Sequence, residues 1–109
     1  MSVEVRGKND PILEAIVSVL DSYEKDHPNA RITVYRHNPV SVRVRVIDPD
    51  FSGVSRVDRN DRMWDYLDRL ADDEQADVNM LLLLAPDEVE KSFGNMEFED
   101  PIPSIWAGV

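Results

Sequence analysis

VSVRVRVI, residues 40–47, is the stretch whose reading decides the fold. It alternates strictly: Val40, Val42, Val44 and Val46 fall on one side, and Ser41, Arg43 and Arg45 on the other. A period of two is the signature of a strand with one apolar face. Immediately before it, RITVYR (residues 31–36) is rich in β-branched residues and alternates too, and HNPV (residues 37–40) carries the Asn and Pro of a turn. The expectation is a β-hairpin with one buried and one wet face. After it, Pro49 and Gly53 in DPDFSG break the strand.

The neighbouring segments follow from this hairpin. NDPILEAIVSVLDSYEKDHPNA (residues 9–30) predicts a helix. Asp10 is a suitable N-cap, Pro11 fits the first helical position, and Pro28 with Asn29 ends it. Ile12, Ile16, Val19, Leu20 and Tyr23 recur at helical spacing. Beyond the hairpin, Asp58 is the expected cap of a second helix with Met63, Leu67, Leu70 and Ala71 on its apolar stripe, closed by DDEQAD (residues 72–77) as a polar loop. VNMLLLLA (residues 78–85) then predicts a third strand, and the crossover before it is long enough to make it parallel to the second. Leucines on both faces of that strand require cover on both. The tail SFGNMEFEDPIPSIWAGV (residues 92–109), with Phe93, Met96, Phe98, Ile102, Ile105 and Trp106, is the expected cover; a homodimer contact is the alternative. The expected architecture is an α+β two-layer sandwich in the order α-β-β-(α)α-β, with a three-stranded mixed sheet and helices on one face. Residues 1–88 form the expected domain, and residues 89–109 an acidic, aromatic tail packed on it.

Composition bounds the chemistry. A chain of 109 residues favours one small domain. Cysteine is absent, which excludes disulfides, thiolate metal sites and Cys nucleophiles. No apolar run approaches the ~18 residues of a membrane span, and MSVEVRGKNDP lacks the apolar core of a signal peptide, so a cytoplasmic protein is expected. The net charge is −10, but unevenly spread. Residues 31–69 hold eight arginines against six aspartates; residues 70–109 hold one lysine against ten acids. The acidic third repels phosphate, so nucleic acid is an unfavoured partner overall.

From Phe51 onward the sequence resembles the BolA-like family, which has a KH-like fold. The resemblance rests on Val44, Arg45, Val46 and Ile47 followed by Phe51, Gly53, Ser55, Val57 and Arg59, on Trp64 where the family has a tyrosine, on the core position Leu67, and on APDE (residues 85–88) after the third strand. It covers roughly residues 10–88. It implies a non-enzymatic regulator that binds another protein, with a monothiol glutaredoxin and a shared iron–sulfur cluster as the family's partner and cargo. Three departures are plain. The family's Arg-His-Arg is Arg59-Asn60-Asp61 here, with Arg62 one position late. The family histidine at the start of the third strand is replaced by Asp77-Val78-Asn79. His37, in the hairpin turn, stands near the other family ligand position.

The candidate residues follow. Arg56, Arg59, Asn60, Arg62 and Trp64 make the expected partner-binding region, in the only net-basic segment. The aspartates Asp58, Asp61, Asp65 and Asp68 interleave with its arginines, a pattern that also suits exposed helix ion pairs. Arg43 and Arg45, on the hairpin's wet face, are the candidate nucleic-acid contacts, without the Gly-x-x-Gly loop that grips phosphates in KH modules. His37 is the one candidate metal ligand, and a single imidazole does not close a site. His27, at the end of the first helix, has no partner at ligand spacing in the sequence. No resident cofactor is expected. No nucleophile elbow, phosphate-cradling glycine loop or EF-hand spacing is present. The expected function is a protein-interaction module, monomer or homodimer, with a divergent nucleic-acid binder or metal and cluster handling as alternatives.

Overall fold

A computed structural model of the chain describes residues 3–91. Its elements run β1 (Val3–Arg6), α1 (Pro11–Asp26), β2 (Arg31–Asn38), β3 (Ser41–Ile47), a 3-10 turn (Pro49–Phe51), α2 (Arg56–Leu67), α3 (Asp72–Asp77), β4 (Val78–Leu84) and a 3-10 segment (Pro86–Lys91). The domain is α+β with a mixed sheet, but the sheet has four strands, in the order β1-β2-β3-β4, rather than three. β1 pairs parallel to β2, β2 antiparallel to β3, and β3 parallel to β4.

The added strand corrects the three-strand expectation. VEVR is only four residues long, and its valines gain meaning from their partners: Val3 lies opposite Ile32, and Val5 opposite Val34. Gly7 then takes φ +78, a left-handed turn that strains any side-chain-bearing residue, and the chain swings into α1. Asp10 caps α1 by accepting the Leu13 N–H at 2.9 Å, with Pro11 at the helix start. The buried stripe is Leu13, Ile16, Leu20 and Tyr23; Ile12 and Val19 lie at its half-buried margin.

Core packing places α1 and α2 on a single face of the sheet. Ile32 and Val34 of β2, and Val42, Val44 and Val46 of β3, meet the α1 stripe and Met63 and Leu67 of α2 in one buried cluster, with Leu81 and Leu83 of β4 against it. Val40 does not join the other valines. It sits in the hairpin turn at 68% exposure, because the strand begins at Ser41. The other face of the hairpin is not wet as the alternation implied: Ser41, Thr33, Tyr35, Arg45 and Ile47 are all buried. The expected cover of that face, residues 92–109, lies outside the described residues. Irregularities fall at His37 in β2 and between Val42 and Arg43 in the β3–β4 pairing, where Asn79 donates to Ser41 Oγ at 2.5 Å.

Two helix ends differ from expectation. Ser55, not Asp58, caps α2, its Oγ accepting the Asp58 N–H at 3.1 Å; Asp58 is an acid of the first turn. DDEQAD is a helix rather than a loop. Asp72, Asp73 and Glu74 crowd its first turn, where the peptide dipoles favour negative charge, and Glu74 accepts the Ala71 N–H at 2.9 Å. Ala71 is exposed at that boundary.

One ion network holds the hairpin against the helix layer. Arg36 meets Asp10 with Nε and Nη2 at 3.0 and 2.9 Å, and Asp77 with Nη1 at 2.7 Å. The bond from Arg36 holds the Asp10 carboxyl below its usual range. The α1 cap and the α3–β4 junction therefore share one guanidinium. Arg36→Met is expected to cost about 1–3 kcal/mol by removing charge-assisted bonds from two partly buried acids. Urea unfolding at neutral pH checks it; an unchanged midpoint refutes the network's role.

Candidate functional site

Two groups of side chains stand out where β3 passes into α2. The first is built on a carboxylate without solvent. Asp48 leaves the end of β3 fully buried, its N–H donating to Leu84 O at 2.9 Å. Burying an ionised carboxylate is costly unless donors replace water. Asp48 Oδ1 accepts the Asp50 N–H at 2.9 Å, and Oδ2 accepts the Tyr23 hydroxyl at 2.6 Å. Tyr23 comes from α1. Four residues on, one helical turn later, His27 stacks on its ring with centroids 4.3 Å apart and planes 16° from parallel. His27 is the C-cap of α1, and its Nδ1 lies 2.8 Å from Asp50 Oδ2 and 3.6 Å from Asp48 Oδ2.

An aromatic wall surrounds this group. Phe51 is fully buried beside Tyr23, and Tyr66 of α2 meets Tyr23 edge-on at 5.1 Å while donating to Asp26 at 2.5 Å. Burial first, and the Asp48 carboxylate second, push the Tyr23 phenol far above its ordinary range, so it remains a neutral donor. Arg62 reaches the Asp50 carbonyl at 3.3 Å with its guanidinium 5.5 Å from the Phe51 ring centre. Among the described residues, His27, Asp48 and Asp50 form a trio of metal-type donors whose atoms lie within 4.8 Å of one another.

The second group centres on Arg59, which is buried rather than displayed. Nη1 and Nη2 meet Glu88 Oε1 and Oε2 at 2.6 and 2.9 Å, Nε donates to Val54 O at 2.9 Å, and Nη1 also reaches Leu83 O at 3.0 Å. Glu88 Oε1 in turn accepts the Ala85 N–H at 3.0 Å. One side chain thus joins α2, the loop before it, the end of β4 and the final 3-10 segment. The glutamate of APDE is the anchor of this clamp, and Arg59 is spent on the fold.

The sequence-chosen residues therefore separate. Arg56 and Asn60 are exposed, Arg62 and Trp64 half-buried, and Arg59 buried. Trp64 packs against the core. Of the nucleic-acid candidates, Arg43 is half-buried and Arg45 buried, with Arg45 Nη2 donating to Thr33 Oγ1 at 3.1 Å, so neither stands on an open strand face. His37 is a half-buried residue at the hairpin irregularity, edge-on to Tyr35, and burial and the nearby Arg43 charge lower its pKa. His27 was the histidine without a partner in sequence. Its partners arrive from residues 48 and 50, across the β2–β3 hairpin. The signals that could have marked it are the Tyr23/His27 turn spacing and the paired acids of Asp48-Pro49-Asp50. No protein-family model, no curated protein and no solved structure matches the chain.

Arg59→Met is expected to cost about 1–3 kcal/mol, between the ranges for exposed and buried pairs, since Glu88 retains some solvent. Denaturant midpoints measure it, and a loss under half a kilocalorie contradicts the clamp. Acid provides a second test. Arg59 and the Ala85 N–H hold the Glu88 carboxyl at about 2, below its usual 4.5. A depressed folded-state value stabilises fully above 4.5, and that contribution fades as pH falls from 4.5 toward 2. Glu88→Gln is expected to flatten the acid limb of a stability–pH curve over that window; an unchanged slope rejects the assignment.

Proposed function

We propose that this protein is a BolA-like, non-enzymatic interaction module of the cytoplasm that works by binding another protein. One observation carries the reading. The large aliphatic side chains exposed among the described residues are Val40 at 68% and Val57 at 70%. They fall in the hairpin turn, three residues after the candidate ligand His37, and at the start of α2, in the expected partner-binding region beside Arg56 and Asn60. Val57, Asn60 and Trp64 follow one another at helical spacing, so the start of α2 offers an aliphatic, an amide and an indole along one side. Aromatic and Arg anchors with apolar neighbours are what protein interfaces favour.

The resemblance supports the same reading. The helix, hairpin, helix and parallel strand from α1 to β4 have the order expected of the family, and β1 is an addition at the edge. A monothiol glutaredoxin is the first partner to try, without the cluster ligand that the family has where this chain has Asp77-Val78-Asn79. No described helix is long and apolar enough to cross a membrane. The burial of Arg45 weakens the nucleic-acid alternative, which needs it on the surface.

Val57→Asp and Val40→Asp change exposed sites and are expected to leave stability within about 0.5 kcal/mol. Val57→Asp is expected to reduce affinity for a monothiol glutaredoxin at least tenfold in calorimetric titration, with Val40→Asp reporting on the hairpin turn. Wild type that fails to bind the glutaredoxin rejects that partner. Wild-type binding that both variants retain undiminished rejects the two surfaces.

A further inference from the structure

The Tyr23–His27–Asp48–Asp50 group lies outside the interaction surfaces proposed above, and nothing in the BolA-like resemblance accounts for it. Its charge is its first peculiarity. Two carboxylates converge on one imidazole nitrogen, and one of them, Asp48, is fully buried. Arg62, the cation beside them, reaches the backbone carbonyl of Asp50. A positive charge centred between Asp48 and Asp50 is what the electrostatics favour, and His27 Nδ1 lies beside that place, 3.6 Å from one carboxylate and 2.8 Å from the other.

The geometry suits a metal ion in the same place. Bonds of about 2.0–2.1 Å from imidazole and about 2.0–2.2 Å from carboxylate put tetrahedral ligand atoms about 3.3 Å apart. His27 Nδ1 and Asp48 Oδ2 are 3.6 Å apart, close to that spacing. The 2.8 Å between Nδ1 and Asp50 Oδ2 is a hydrogen-bond distance, so Asp50 must retreat by about half an ångström to meet the ligand spacing. Asp50 is able to do so: its side chain is 60% exposed. Asp48 is held in place by its other bonds. Tyr23 and the Asp50 N–H already fix its two oxygens, and the Tyr23 ring fixes the plane of His27. Outer partners that orient ligands in this way are what working metal sites have.

We propose that His27, Asp48 and Asp50 bind one divalent first-row ion of the zinc class, with Tyr23 as the positioning residue for Asp48. One imidazole and two carboxylates are a borderline-to-hard donor set, suited to Zn2+, Co2+ or Mn2+ and not to a thiophilic ion such as Cu(I). Three protein donors leave a coordination position to solvent, on the side where Asp50 is exposed, so the site exchanges its ion rather than sealing it in.

Zinc chloride titrated into the full chain tests this by calorimetry and by 15N NMR. One saturable Zn2+ per chain is expected, with signals of residues 27, 48 and 50 shifting together, and with affinity falling at least tenfold in His27→Gln and in Asp50→Asn. Asp72→Asn, on the acidic start of α3, is expected to bind as wild type does. Asp50→Asn alters an exposed side chain and decides the matter should His27→Gln fail to fold. Absence of saturable binding at millimolar zinc overturns the proposal. So does wild-type affinity in Asp50→Asn, or a loss in Asp72→Asn as large as in Asp50→Asn, which marks diffuse attraction to acids.

Discussion

A carboxylate removed from water has to be given donors, and Asp48 meets that demand by joining three elements. Its Tyr23 partner fixes the C-terminal end of α1, its own N–H ties the end of β3 to the end of β4, and the Asp50 N–H helps to wind the 3-10 turn that precedes α2. Bonds to a charged acceptor contribute about 1.5–3 kcal/mol each, and a neutral backbone bond about 0.5–1.5 kcal/mol. Together they impose a geometry. α1 and α2 pack with Phe51 in the one buried cluster against the sheet. The same demand brings His27 and Asp50 to within 2.8 Å.

Arg59 applies the same logic with the opposite sign. A buried guanidinium has five donors to place, and here four of them go to a glutamate and two backbone carbonyls. The result locks α2 to the far end of β4, on the side away from the hairpin turn. Arg36 performs the corresponding task at the other end of the domain, between the α1 cap and the α3–β4 junction. Three polar nodes therefore fix the edges of an apolar core whose packing alone leaves helix orientation loosely set.

This division of labour explains the mixed fate of the arginine-rich segment. Arg56, Arg59, Arg62 and Arg69 look alike in sequence, spaced among aspartates along α2 and just past its end. In the fold Arg56 faces solvent, Arg59 is consumed by the clamp, Arg62 leans on Phe51, and Arg69 lies over Tyr66 at 4.7 Å. Recognition by this segment is thus left to a narrower set, Arg56, Val57, Asn60 and Trp64. The exposed valine enters this set for a reason its residue type does not give: at 57 it lies opposite the buried stripe of Arg59, Met63 and Leu67.

The sequence by itself determined the elements whose periodicity is local. Strict alternation in SVRVRVI, the Asp10-Pro11 entrance to α1 and the apolar run of β4 follow from backbone geometry and capping chemistry, which act over a few residues. Two local expectations failed, because Ser55 rather than Asp58 caps α2 and DDEQAD is a helix rather than a loop. Only the tertiary structure made a strand of VEVR, because four residues become a strand through the partner that pairs with them. It also decided that Arg45 and Arg59 are interior groups and that His27 has carboxylate neighbours. Those facts depend on contacts between residues separated by 12, 29, and 21 to 23 positions, and no short-range pattern encodes which distant donor will meet a given acceptor.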